Sequence, residues 1–136
     1  MIHAAQYRRI VLASAWYDLI VTIGFATPWT FALIYANLSW LAQALGLAGD
    51  FPAFAPMHVL MGNMLGVVVT IWAVVRIRDP QVVFGRYDAV ARLLFASWQI
   101  YAVMHGASAL ILGFAVFEIL FCLLQSLPLT KVSERQ

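Results

Sequence analysis

A few side chains that apolar surroundings rarely accept stand inside otherwise apolar stretches: Asp18, Asn63, Arg92, Gln99 and Glu118. Asp18 lies roughly 13 Å along the first stretch at a helical rise of about 1.5 Å per residue, and Glu118 sits at nearly the same depth in the last. An ionised carboxylate so deep in a bilayer costs at least about 2.5 to 3.5 kcal/mol, so each must face other helices and find partners there. If the two acids meet, they can share one proton as a coupled pair. Alternatively Arg92 extends its long side chain inward and neutralises either of them. Gln99 follows Arg92 by seven residues on a similar helix face, Asn63 adds an amide, and Tyr17 and Tyr101 add hydroxyls. Ser14, Asp18 and Thr22, spaced by four, form one polar stripe. Polar groups contributed by every apolar run make a candidate ligand or ion site; a hydrogen-bonded packing cluster is the competing reading.

Two Met-His pairs form a second constellation, Met57-His58 and Met104-His105, with Met61 and Met64 continuing a methionine face. Thioether and imidazole suit copper(I), and histidines on separate helices suit haem iron. Ordinary helix packing and an interfacial histidine explain the same residues. No catalytic triad, phosphate-binding glycine loop or His-Glu-x-x-His signature accompanies them, which leaves the cofactor unknown and favours a protein that is not an enzyme. Cys122 is the single cysteine, so no intramolecular disulfide or cysteine metal cluster can form.

The elements that must position these residues follow from composition. With 64% hydrophobic and only 10% charged residues over 136 positions, the chain departs from the roughly 25% charge of soluble domains. At about 20 residues per crossing there is room for four spans and no separate soluble domain. The apolar runs place them at about 10–34, 57–75, 88–104 and 107–127. Pro28 is expected to kink the first near its far end, and Asp88 to cap the third. Between the first two spans, Gly46, Gly49, Pro52 and Pro56 break the chain, and Ser39 to Leu45 reads as a short interfacial helix with Trp40 at headgroup level. Gly62-x-x-x-Gly66 and Thr70 give the second span a small-residue face for close packing. The tail from Lys131 to Gln136 is polar and expected to be mobile.

All eight basic residues fall on one side of this layout: Arg8 and Arg9, then Arg76, Arg78, Arg86 and Arg92, then Lys131 and Arg135. That bias puts both termini in the cytoplasm. The same scatter into short groups argues against a nucleic-acid partner. The expected fold is therefore all-α, an integral membrane four-helix bundle of two hairpins. The segment from Arg9 to Ser14 is also similar to that from Arg92 to Ser97, as a parallel internal repeat would be.

In size, four-span layout and paired hairpins, the chain resembles DoxX-like small membrane proteins. The resemblance implies architecture and, for some of that group, association with quinone-linked or redox complexes; it transfers no functional residue. The leading expectation is a multi-pass protein of the bacterial inner membrane that holds a small ligand, lipid or ion around Asp18, Asn63, Arg92, Gln99 and Glu118. It would act as a homo-oligomer or as a subunit of a larger membrane complex. The alternatives are an oligomeric proton- or cation-coupled transporter or channel component, and a redox component using haem, copper or quinone.

Overall fold

The computed structural model describes residues 1–130. Over that range the chain is all-α: α1 (Ala4–Thr22), a 3-10 turn (Ile23–Phe25), α2 (Pro28–Ala44), α3 (Pro56–Arg78), α4 (Val82–Met104) and α5 (Ile111–Ser126). Among the described residues no strand forms, and the only β-type pairings are the isolated bridges Ile2–Leu129 and Asp50–Ala107. The polar tail from Lys131 onward, expected to be mobile, lies outside the described residues.

The first expected span is not one kinked helix. Proline drives the residue before it out of the helical region, and Thr27 is accordingly extended (φ −131°, ψ 150°). Pro28 then occupies the first turn of a new helix, where its missing N–H costs nothing, and the Thr27 hydroxyl accepts from Thr30 N at 3.3 Å. The helices on either side of this break are bent by 104°. The carbonyl of Phe25, freed at the break, accepts from Asn63 Nδ2 at 2.7 Å, so a polar group that would otherwise be orphaned is satisfied. The segment Ser39 to Leu45, expected as a separate short helix, belongs almost wholly to α2.

The other boundaries shift as well. Helix α4 starts at Val82, six residues before Asp88, with Gln81 at the cap position. Asp88 therefore does not cap the helix; it is buried in its second turn. The connection from α3 shrinks to 79–81. Gly106 does form the turn before α5, with φ +102°, a conformation that side-chain-bearing residues rarely adopt.

Both ends of the bundle are tied by backbone hydrogen bonds. At one end Ile2 N donates to Pro128 O (3.0 Å) and Thr130 N to Ile2 O (2.9 Å). At the other, Asp50 N donates to Gly106 O, Ser108 N to Asp50 O and Ala109 N to Ala48 O, between 2.8 and 3.2 Å. Gly49 makes the second tie possible: its φ is +87°, and a Cβ there would lie 2.3 Å from Ala107 O.

Helix α1 packs on α3, α4 packs on α5, and α1 also touches α4 and α5. Small residues allow the close approach. Ala15, Ala73, Ala89, Ala96 and Ala115 are buried, while Leu, Ile, Val and Trp side chains along α3, α4 and α5 point outward. Gly66 meets the backbone of Phe25 and Ala26, and Gly62 meets the Phe31 ring, so the small-residue face of α3 is used within the chain. Helix α3 is long and apolar enough to cross a membrane; α1 and α2 pass that test only as the bent pair, and α5 is apolar but shorter.

Candidate functional site: a buried ionic network

Four of the five α-helices, all but α2, present a polar face to one another at helical spacing. Ser14 and Asp18 come from α1, Trp72 and Arg76 from α3, Asp88 and Arg92 from α4, and Glu118 and Gln125 from α5. All but Trp72 are buried, with Arg76 at 0% and Arg92 at 2% exposure. Because arginine stays protonated in proteins, two fixed positive charges sit where solvent does not reach.

The guanidinium of Arg92 holds three acids apart and together. Its Nε donates to Asp88 Oδ2 (3.0 Å), Nη1 to Glu118 Oε2 (2.7 Å), and Nη2 to both oxygens of Asp18 (2.7 Å each) and to Ser14 Oγ (2.8 Å). Arg76 closes the cluster from α3: Nη1 donates to Asp88 Oδ2 (2.7 Å) and Ser14 Oγ (3.1 Å), and Nη2 to Asp18 Oδ2 (2.5 Å). Ser14 donates to Asp88 Oδ2 at 2.8 Å, and both arginines and Gln125 Nε2 (3.0 Å) lie within hydrogen-bond distance of its two lone pairs, so a single hydroxyl joins four helices. Gln125 Nε2 and Trp72 Nε1 also donate to Asp88, at 2.9 and 3.2 Å. Charge-assisted bonds of this kind are about twice as strong as neutral ones.

Aromatic rings flank the charges. The Arg76 guanidinium lies 5.3 Å from the Trp72 ring centre, and that of Arg92 lies 4.9 Å from Phe121 and 6.0 Å from Tyr17. At the end of the bundle where the termini meet, Arg86 donates to the carbonyls of Gln125 (2.8 Å) and Leu127 (2.7 Å), satisfying the last turn of α5. The Tyr7 hydroxyl donates to the same Gln125 carbonyl at 2.6 Å. Burial pushes the Tyr7 phenol above its ordinary value, an effect the neighbouring Arg86 cation opposes and Asp88 reinforces.

Of the residues expected to share a site, Asp18, Arg92 and Glu118 come together, with the arginine placed between the two acids. Asn63 does not join them, because its amide is used at the break after α1. Gln99 is on α4 but makes no bond to the network, and its buried Oε1 has no partner. Thr22, the third residue of the stripe, donates to the Asp18 carbonyl at 2.6 Å. Arg76 and Asp88, read from sequence as end-of-helix charges, are instead central to the site. The signal that finds them is spacing: Asp88 and Arg92 stand four apart on one helix, and Trp72 and Arg76 do so on another.

No family model, curated protein or solved structure matches this chain.

The chemistry of the centre must therefore be read from its own geometry. Two arginines and three carboxylates bond to one another, and the cluster contains no thiol or imidazole. The Met-His pairs lie elsewhere. His58 Nδ1 accepts from Ala55 N at 3.3 Å, His105 Nδ1 lies 2.8 Å from Tyr101 O, and the Met57 and Met104 side chains are exposed. Among the described residues no three His, Cys, Asp or Glu side chains are placed to hold a metal ion.

Beside the network lies an apolar groove of about 230 Å³. Tyr17 of α1, Leu38 and Leu41 of α2, and Gly113, Phe114 and Phe117 of α5 line it. It exists because the chain turns away after Phe25, and because Gly113 has nothing within 4 Å of where its Cβ would be. Tyr17 belongs to both regions: it stacks on Phe117 at 5.1 Å and neighbours Arg92 on the side of the network.

Proposed function

We propose that the chain is a multi-pass membrane protein whose four crossings, with both termini cytoplasmic, bind an apolar or amphiphilic small molecule, a lipid among them, in the groove beside the ionic centre. The observation that carries this reading is the inverted polarity of the bundle: charges inside, large apolar side chains outside. An exposed apolar surface of this extent is a liability in water and the expected exterior in lipid. Helix α4 is about 35 Å long at 1.5 Å per residue, enough to cross, and its Asp88 and Arg92 face partners within the bundle. The basic residues Arg8, Arg9, Arg78 and Arg86 belong to the end where the termini meet, and neither the 45–55 connection nor the 105–110 turn contains lysine or arginine, which supports the cytoplasmic assignment. The plasma membrane of a bacterium is the matching location. Short connections leave helix faces as the main contact surface, so the protein acts as a homo-oligomer or as a subunit of a larger membrane assembly.

Asp18, Asp88 and Arg92 of the network are already held by several protein partners each, which favours the adjacent groove as the place for a ligand. Native mass spectrometry of the gently solubilised protein, followed by extraction, is expected to find a retained apolar molecule. Gly113→Phe projects a ring into the open space of the groove and should release it, whereas Leu123→Phe on the outer face of α5 should not. Equal retention in both variants would remove the groove from consideration.

A further inference from the structure

The network is out of balance. Among the described residues, Asp18, Asp88 and Glu118 are paired only with Arg76 and Arg92, so full ionisation leaves one negative charge there without a counterpart. Arg86, the next cation along α4, is engaged by the carbonyls of Gln125 and Leu127. An unpaired charge held away from water is among the most expensive arrangements a fold can contain, and a bound proton removes it.

The three acids are not equally supplied with donors. Asp88 accepts from Trp72, Ser14, Gln125 and both arginines, and Asp18 accepts on both oxygens from the two arginines. Glu118 receives one bond, from Arg92 Nη1 to Oε2, while its Oε1 receives none from any described residue. A second acceptor is short of hydrogen: Gln125, wholly buried and bonded into the cluster through Nε2, has no donor to its Oε1. Among the described residues, the buried Arg76 Nε and Thr70 Oγ1 are left without partners, and neither bonds to these oxygens.

We propose that Glu118 is a proton-binding site, carrying on Oε1 the hydrogen that neutralises the network while Oε2 keeps its bond to Arg92. The charged and titratable groups around it are Arg92 and Asp88 from α4 and Asp18 and Tyr17 from α1, with Arg76 of α3 behind them. Glu118 keeps a residual exposure of 9%, close to the 8% of Asp18, so its proton can exchange with the surroundings without opening the cluster. The site stands on charge count and hydrogen-bond supply, independently of what the groove holds.

Infrared spectroscopy of the purified wild-type protein at neutral pH is expected to show the carbonyl band of a protonated carboxylic acid that shifts in heavy water. Glu118→Gln, which keeps the shape of the neutral acid, should abolish the band and unfold near the wild-type temperature. Glu118→Asp should move the band, and so assigns it even if the glutamine variant folds poorly. A proton bound by the folded network and released by the unfolded chain stabilises less as pH rises, so wild-type thermal stability should fall more steeply than that of Glu118→Gln as pH rises above the ordinary glutamate range. Absence of the band in the wild-type protein, its persistence in Glu118→Gln, or equal pH dependence of the two proteins would overturn the assignment.

Discussion

The two ends of the bundle are held by different physics. Toward the end where the termini meet, four helices converge on ion pairs with directional bonds between 2.5 and 3.1 Å. Toward the other, α2 and the 45–55 connection close over α3 through aromatic rings: Phe31 stacks with Tyr35 at 6.0 Å, Phe54 packs on Tyr35 at 4.5 Å, and Phe51 meets Tyr35 edge-on at 5.2 Å. Rings tolerate many arrangements at similar energy, whereas a guanidinium shared among three acids tolerates very few. The contrast separates fixing a register from allowing a shape. The groove lies where α2 leaves the rigid part, so one wall is set by charges and the other can adapt.

The hardest blow to the comparison is Arg76→Met, which leaves three acids facing one arginine. Breaking a buried pair costs about 3 to 5 kcal/mol, so this variant should lose the folded state in mild detergent, as circular dichroism on heating would show. Adding Asp18→Asn to Arg76→Met restores the original charge count and should recover a large part of the loss. A double variant no better than the single would mean that shape, not charge, locks this end. Next in size, Arg86→Met strips charge-assisted bonds from the carbonyls of Gln125 and Leu127, with an expected cost of about 1.5 to 3 kcal/mol and faster hydrogen exchange confined to the end of α5. Tyr7→Phe removes one bond to the same carbonyl and should cost about 1 kcal/mol in the same unfolding assay. Comparable in size, Phe54→Leu in the aromatic end should cost about 0.5 to 1.5 kcal/mol beyond lost area in the same assay, well below Arg76→Met. A Phe54 effect as large as that of Arg76 would erase the distinction between the two ends.

The sequence and the structure agree where chemistry alone decides, and part where tertiary context does. Asp18, Arg92 and Glu118 were legible because a charge inside an apolar run must find a partner. Arg76 and Asp88 were not, because apolar runs were used to set helix ends: the run stops at Arg76 and resumes after Asp88, yet the helices continue through both. Local hydropathy cannot see that a charge at the edge of a run is neutralised by another helix. Asn63 misled for a related reason, since its partner is a backbone carbonyl 38 residues earlier that becomes free only because Thr27 leaves the helix. Pro28 was visible as a disturbance, but whether a proline bends a helix or starts a new one depends on the residues around it. Here Thr27 caps and Thr30 answers.

The buried charges also have an order. Read from the N-terminus, they are Asp18, Arg76, Asp88, Arg92 and Glu118, alternating in sign at every step. As the chain emerges during synthesis, each newly made charge therefore cancels the one before it, and the running total of the set never exceeds one elementary charge. In the membrane reading proposed above, insertion can proceed helix by helix without waiting for a distant segment to neutralise an accumulated excess, and α5, the last to arrive, brings the acid that leaves the total one short of zero.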